Sequence, residues 1–312
     1  MDYKQARIVY MGTPDLAASL LEKLVGEGFN IVALIAQPDA PIGRKSQLVP
    51  VPTKVVAQAH HIPVYQPSSI REDHDFITKF ECDLILTLAY GQIVPDAVLT
   101  WPKLGALNVH GSLLPKLRGA APIQFALMQG LKQTGITLMR MVSRMDAGEM
   151  FAGSELEILP DDDYGSLKTR VSALINEQIP NLIKQYLAGK LIGRPQDENK
   201  ATFAPSIKKE QEHLDIELSC RDFINFVRAL APEPGGYLLD ESGTRIKLFK
   251  VRYYDDHTDW EKGIVLVENK CLILQLSDGR LIIDSLQLPG KRVMSASEFL
   301  LGHQKISGAV WK

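Results

Sequence analysis

The sequence predicts an α/β protein: a doubly wound, mostly parallel sheet followed by a second, smaller β domain. Three observations predict it. Short apolar runs alternate with amphipathic helical stretches up to about residue 190, the pattern of strands buried between two helical layers. From residue 209 the texture changes to short strands punctuated by Asp, Ser and Gly turns. Between them, residues 189–208 carry Gly189, Gly193, Pro195 and Pro205 among polar residues, the composition of a linker. The expected divisions are therefore 1–188, 189–208 and 209–312.

Arg7-Ile8-Val9-Tyr10-Met11 reads as the first buried strand, ending at Gly12. Thr13-Pro14-Asp15 is a helix-start signal, with Thr as N-cap, Pro at the first helical position and an acid near the positive end of the dipole. Gly26 and Gly28 close that helix, and Ile31–Ala36 forms the second strand. Gln37–Pro52 is a long loop with Pro38, Pro41, Gly43, Pro50 and Pro52; loops of this length in compact domains are usually functional or disordered. A helix over Lys54–Ala59, an extended Pro63–Tyr65, a helix after Ser69, and strands at Leu84–Leu88 and Ala106–His110 continue the alternation. The layout is Rossmann-like, yet only Gly12 follows the first strand. A Gly-x-Gly-x-x-Gly turn is missing, and no nicotinamide cofactor is expected. A helix over Tyr164–Ala188 closes the domain.

In the second domain Tyr237–Leu239 turns at Asp240-Glu241-Ser242-Gly243 into Arg245–Tyr253. Cys271–Leu276 turns at Asp278-Gly279, a strong hairpin pair, into Leu281–Leu286. Ser295-Ala296-Ser297-Glu298 is a capping box opening a short final helix. Five or so short strands in this span fit a small barrel.

Composition narrows the class. Apolar content of 45% and charged content of 23% are those of a soluble globular protein. The three cysteines, Cys82, Cys220 and Cys271, are scattered, without Cys-x-x-Cys, so neither a disulfide framework nor a zinc site is implied. The N-terminus lacks a signal peptide's apolar core and no apolar run is long enough to span a bilayer, so a cytoplasmic protein is expected. A net charge of −2, spread over both halves, does not advertise a nucleic-acid binder; any such contact must come from local patches.

The chemistry concentrates in Asn108-Val109-His110, answered downstream by Met145-Asp146-Ala147-Gly148. Two residues apart at the end of a strand, Asn108 and His110 share a face and arrive together at its carboxyl end, where open α/β sheets bind ligands. An amide that can hold an oxyanion, an imidazole that can move a proton and a carboxylate that can orient it suit acyl transfer. Each has a bland alternative: a strand-end Asn, a core His and a turn Asp are all common.

Further motifs carry a resemblance. Tyr10-Met11-Gly12-Thr13-Pro14-Asp15, Gln37-Pro38-Asp39, Ala89-Tyr90-Gly91-Gln92-Ile93, Asn108 through Pro115, Arg118-Gly119-Ala120-Ala121-Pro122-Ile123-Gln124, Thr134-Gly135-Ile136-Thr137 and Met145 through Gly148 together resemble the methionyl-tRNA formyltransferases. Gly290-Lys291-Arg292 followed by Met294-Ser295-Ala296 resembles that family's C-terminal domain. The Asn-x-His with its downstream Asp is shared by all 10-formyltetrahydrofolate-dependent formyltransferases; the other motifs point to the tRNA enzymes.

The resemblance implies a formyltransferase fold with an OB-like C-terminal barrel, and Asn108, His110 and Asp146 as the catalytic residues. It implies 10-formyltetrahydrofolate as formyl donor, with neither metal nor nicotinamide, and initiator methionyl-tRNA as acceptor. Ser112, Leu113, Leu114 and Pro115 match the folate-binding turn, with Leu88, Ala89, Tyr90 and Gly91 lining the pterin slot; ordinary packing at a strand exit is the other reading of these residues. For tRNA the matching positions are Arg44 and Lys45 in the long loop, then Lys208, Lys209, Lys291 and Arg292. Family members commonly read Gly-Arg-Gly-Lys-Lys where this chain has Gly43-Arg44-Lys45-Ser46-Gln47, so the loop has less charge for phosphate. The four later cations are equally compatible with a solvated face. Two rivals are an amino-sugar-nucleotide formyltransferase, suggested by Met141-Val142-Ser143-Arg144, and a non-catalytic RNA-binding protein on the same scaffold.

Overall fold

A computed structural model describes residues 1–42 and 47–312, which fall into two compact units. The first comprises Met1–Pro122, Gln133–Glu157 and Lys168–Pro205; the second comprises Ile123–Lys132, Ile158–Leu167 and Ser206–Lys312. The chain opens with β1 (Ile8–Gly12), α1 (Asp15–Gly26), β2 (Ile31–Ile35), β3 (Ala40–Ile42), β4 (Gln47–Val49), α2 (Pro52–Ala59) and β5 (Val64–Tyr65). It continues through β6 (Leu84–Leu88), α3 (Asp96–Leu99), β7 (Ala106–His110), α4 (Pro122–Met128), β8 (Gln133–Arg140), β9 (Met150–Glu157) and α5 (Tyr164–Leu187).

Seven strands make the first unit's sheet in the order β5-β2-β1-β6-β7-β8-β9. From β5 to β7 they run parallel, and β8 and β9 are added antiparallel. β1 and β6 are buried along their whole length, as strands covered on both faces must be. The chain winds outward from β1 through β2 to β5, then returns to β6 on the other side of β1. Strand order therefore reverses between β1 and β6, and the crevice at their carboxyl ends is where such sheets take ligands. One side of the sheet packs Val9, Met11, Ile35, Ile85 and Ala106 against Ile70, Phe76, Val98 and Tyr90.

In the first unit, local details differ from the sequence reading in three places. Thr13 is not the cap of α1: the capping position is Pro14, and the Thr13 hydroxyl donates to the Tyr90 carbonyl at 2.9 Å. The long loop contains an antiparallel pair, β3 with β4, that flanks the undescribed residues 43–46. The helix expected after Ser69 is a short 3₁₀ turn at Asp75–Lys79.

The second unit carries α6 (Cys220–Leu230), β10 (Gly236–Leu239), β11 (Arg245–Asp255), β12 (Val265–Glu268), β13 (Cys271–Leu276), β14 (Gly279–Gln287), β15 (Met294–Ser295) and α7 (Ala296–Gly302). Its antiparallel sheet runs β10-β11-β14-β13-β12, with β15 on β14. The hairpin register makes Ser277-Asp278 the loop, one residue earlier than the Asp-Gly reading, because Leu276 pairs with Gly279. Asp278 is used elsewhere: its carboxylate accepts the Cys220 N–H at the start of α6 (2.8 Å). Residues 309–312 join the two outer strands. Val265 N–H donates to Ala309 O and Trp311 N–H to Gly263 O, both at 2.8 Å, while Leu239 and Lys312 exchange bonds of 2.6 and 2.8 Å. The sheet closes on itself through this segment, which removes free strand edges, and Trp311 is fully buried in the closure. The capping box at Ser295 and Glu298 opens α7 as expected.

Candidate active site

β7 ends with Asn108 half-buried and His110 5% exposed. Both arise from the strand's two-residue period, and their neighbours across β8 are Met139 and Thr137. Asp146 comes from the connection between β8 and β9. It holds a left-handed backbone (φ 48°), which a short polar side chain tolerates better than most but which still costs on the order of 1 kcal/mol. Gly148 seats this connection, because a Cβ there would collide with the Arg140 carbonyl.

The three side chains meet. Asn108 Nδ2 lies 3.4 Å from Asp146 Oδ1, and His110 Nδ1 lies 3.6 Å from Asp146 Oδ2. Oδ2 also accepts the Gly119 N–H at 2.8 Å. His110 Nε2 faces the Leu117 carbonyl at 2.8 Å; a carbonyl can only accept, so Nε2 carries the hydrogen and Nδ1 is the basic nitrogen. A proton arriving at Nδ1 would lie directly against a carboxylate. The Asn108 amide has a second N–H that Asp146 does not take. The site thus sets an amide N–H beside an imidazole nitrogen that faces a carboxylate.

The proposed folate residues lie around this centre. Thr87 is opposite Asn108 across the sheet, so residues 88–91 and 108–115 leave adjacent strands side by side. Leu88 is buried, whereas Ala89 and Gly91 are exposed and both have positive φ (49° and 94°). Tyr90 turns its ring into the core and presents only main chain, its carbonyl accepting from Thr13 and from Gln37 Nε2 (3.2 Å). Burial pushes the Tyr90 hydroxyl above its ordinary range. Ser112 is also turned inward, its hydroxyl donating to Lys116 O at 2.6 Å and its carbonyl accepting from Thr137 at 2.7 Å. Leu114 is buried with its N–H on Thr137 Oγ1 (3.1 Å), while Leu113 and Pro115 remain partly open.

The cations proposed for tRNA come from three separate stretches of the sequence. Lys208, Lys209, Lys291 and Arg292 are exposed in the second unit, and Arg292 pairs with Glu298 at 2.7 Å. Arg44 and Lys45 lie outside the described residues. Among the described residues, no helix is long and apolar enough to cross a membrane, and no group of three or more His, Cys, Asp or Glu is placed to hold a metal ion.

Sequence reasoning missed the residues behind Asp146. Gln196, from the stretch read as a linker, donates through Nε2 to the carbonyls of Asp146 (2.7 Å) and Gly148 (2.8 Å). The buried Arg118 donates to Gln196 and to Glu198, and Arg144 also pairs with Glu198. Arg118 holds the Glu198 carboxyl below its usual range, with Arg144 assisting. Polar residues with Gly and Pro read the same whether they face water or buried backbone, so only a partner for Arg118 could have signalled this role.

The formyl transferase family model matches residues 6–183, and the formyl transferase C-terminal domain model matches 206–304. A methionyl-tRNA formyltransferase of Bacillus subtilis (strain 168) is 40% identical over 312 residues, covering 97% of each chain. That of Halalkalibacterium halodurans is 42% identical over 304 residues, 95% of this chain and 94% of the relative. Among solved structures, the sugar 3N-formyl transferase WlaRD superposes with a TM-score of 0.66 over 92% of this chain and 99% of its own. HypX from Aquifex aeolicus, in complex with tetrahydrofolic acid, gives 0.64 over 96% of this chain and 47% of its own. Both are 16% identical and share the fold. On the two family models and the full-length relatives, the chain belongs to the formyl transferase family and, within it, to the methionyl-tRNA formyltransferases.

Proposed function

We propose that this chain works in the cytoplasm and transfers the formyl group of 10-formyltetrahydrofolate to the amino group of initiator methionyl-tRNA. The observation that carries the reading is the meeting of Asn108, His110 and Asp146 at the carboxyl end of β7, in a chain of this family. The folate supplies an activated one-carbon unit: the amine nitrogen bonds to the formyl carbon, the bond to the folate nitrogen breaks, and that nitrogen ends with the amine's proton. Asn108 Nδ2–H donates to the formyl oxygen as it gains charge. His110 Nδ1 accepts the amine proton, Asp146 stabilises it there, and the pair releases it toward the leaving nitrogen.

Ser112–Pro115 and the main chain of 88–91 bind the folate in this reading. In this reading residues 1–188, together with the segment to Pro205 that packs behind Asp146, form the catalytic domain, and 209–312 form the tRNA-binding domain. Arg44 and Lys45 contact the acceptor end, and Lys208, Lys209, Lys291 and Arg292 add phosphate contacts that position rather than specify. A formylation assay with charged initiator tRNA, and with an amino-sugar nucleotide as the control acceptor, tests the reading. Asn108→Ala should lower kcat by about 10²–10³-fold, the usual loss for one oxyanion donor. Near-normal turnover in a folded variant, or preference for the sugar, would overturn it.

A further inference from the structure

Of three consecutive residues, the outer two hold the His110–Asp146 pair and the middle one holds a residue behind it. The Leu117 carbonyl accepts His110 Nε2–H, the Gly119 N–H donates to the Asp146 carboxylate, and Arg118 between them grips Gln196. Gln196 completes a ring, because its Nε2 reaches back to the Asp146 main chain. Its hydrogen-bonding capacity is fully used. Two N–H groups serve the carbonyls of Asp146 and Gly148, and Oε1 takes Arg118 Nε (2.9 Å) and Nη2 (2.7 Å). Arg118 is only 2% exposed, so its charge needs the Glu198 carboxylate at 3.0 and 3.1 Å.

The segment that carries Gln196 is itself tied to residues 117–121. Thr202 Oγ1 accepts the Leu117 N–H (2.9 Å), Arg118 N–H donates to Thr202 O, and Ala204 donates its N–H to Arg118 O and accepts the Ala121 N–H. Gly119 (φ 122°) allows the close approach, since a Cβ there would stand 2.6 Å from Ala204 O. The Asp146 carboxylate is thereby held from the residue next to Arg118, and its strained main chain through Gln196 from the Arg118 guanidinium.

From this we infer that Gln196, backed by Arg118, is a positioning residue that sets Asp146 against His110; the inference rests on the catalytic reading of that pair. Gln196→Glu separates positioning from packing. It keeps the one oxygen that takes Arg118 and replaces the N–H groups that hold the Asp146 connection with an acceptor facing the same two carbonyls, which releases that connection. The expected result is a kcat about 10- to 100-fold lower, as for a small misplacement of a reacting group, with KM for both substrates nearly unchanged and the thermal midpoint retained.

In an Asp146→Asn background the same substitution should cost nothing further, because Gln196 acts through Asp146. Arg118→Lys keeps the charge near Glu198 but lacks the two-pronged grip on Oε1, and should show a smaller loss with the same dependence on background. Wild-type kcat in Gln196→Glu, or an equal further loss in the Asp146→Asn background, would overturn the inference. Full turnover in Asp146→Asn alone would instead overturn the catalytic reading beneath it.

Discussion

Asp146 and Asp255 are both partly buried carboxylates, one in each unit, and they are fixed in opposite ways. Asp255, at the end of β11, takes Arg280 Nε at 2.7 Å and Nη2 at 2.5 Å, and Arg280 reaches Glu268 at 2.7 Å. That guanidinium holds the Asp255 carboxyl down at about 2. Asp146 has a backbone N–H, an amide and an imidazole; the nearby guanidinium of Arg118 reaches it only through the neutral Gln196. Either arrangement orients an acid. Direct ion pairing also spends its charge, whereas neutral donors leave that charge free to respond when a proton arrives on a neighbour.

The largest effect should come from breaking the neutral arrangement. His110→Ala and Asp146→Ala should each lower kcat by about 10²–10⁴-fold, and the double variant should be little worse than the more damaging single one. Single-turnover formylation measures this, and losses that multiply would show two independent groups. A smaller effect is expected at the charge pair. Arg280→Ala leaves two carboxylates without their cation and should destabilise the fold by about 1–3 kcal/mol, discounted because both remain partly open to solvent. Urea unfolding reads that loss, and an unchanged midpoint would show the pair to be idle.

The smallest effect is in pH. Because Arg280 lowers the Asp255 carboxyl, their pairing stabilises the fold above the ordinary carboxylate range, and that contribution disappears as pH falls from about 4 through about 2. The stability difference between the wild-type chain and Asp255→Asn should narrow across that window. A constant difference would assign it to packing.

The parts of this contrast were unequally legible. Asn108 and His110 could be read because a strand has a period of two and their segment ends an apolar run. The Ser295–Glu298 box was legible because its two hydrogen bonds lie within four residues. The antiparallel β8 and β9 left no local mark, since strand direction is set by which edge is free when the chain returns. Thr13 misled because a hydroxyl beside a helix start can serve a distant carbonyl as well as the helix. Gln196 was illegible because its partners lie about 50 and 78 residues back in the chain, and nothing local distinguishes it from a solvated linker residue.

The Leu117–Gly119 triplet makes the site sensitive to counting as well as to chemistry. Leu117 and Gly119 meet His110 and Asp146 through main-chain groups that a substitution leaves in the chain, whereas replacing Arg118 removes the side chain that holds Gln196 and Glu198. Inserting or deleting one residue re-addresses all three at once: the carbonyl that met His110, the grip on Gln196 and the N–H that met Asp146 each move to a neighbour with different reach. Related chains can therefore diverge in residue type around this turn more readily than in length. A gap falling here would mark a protein whose Asn, His and Asp survive in the alignment but no longer meet.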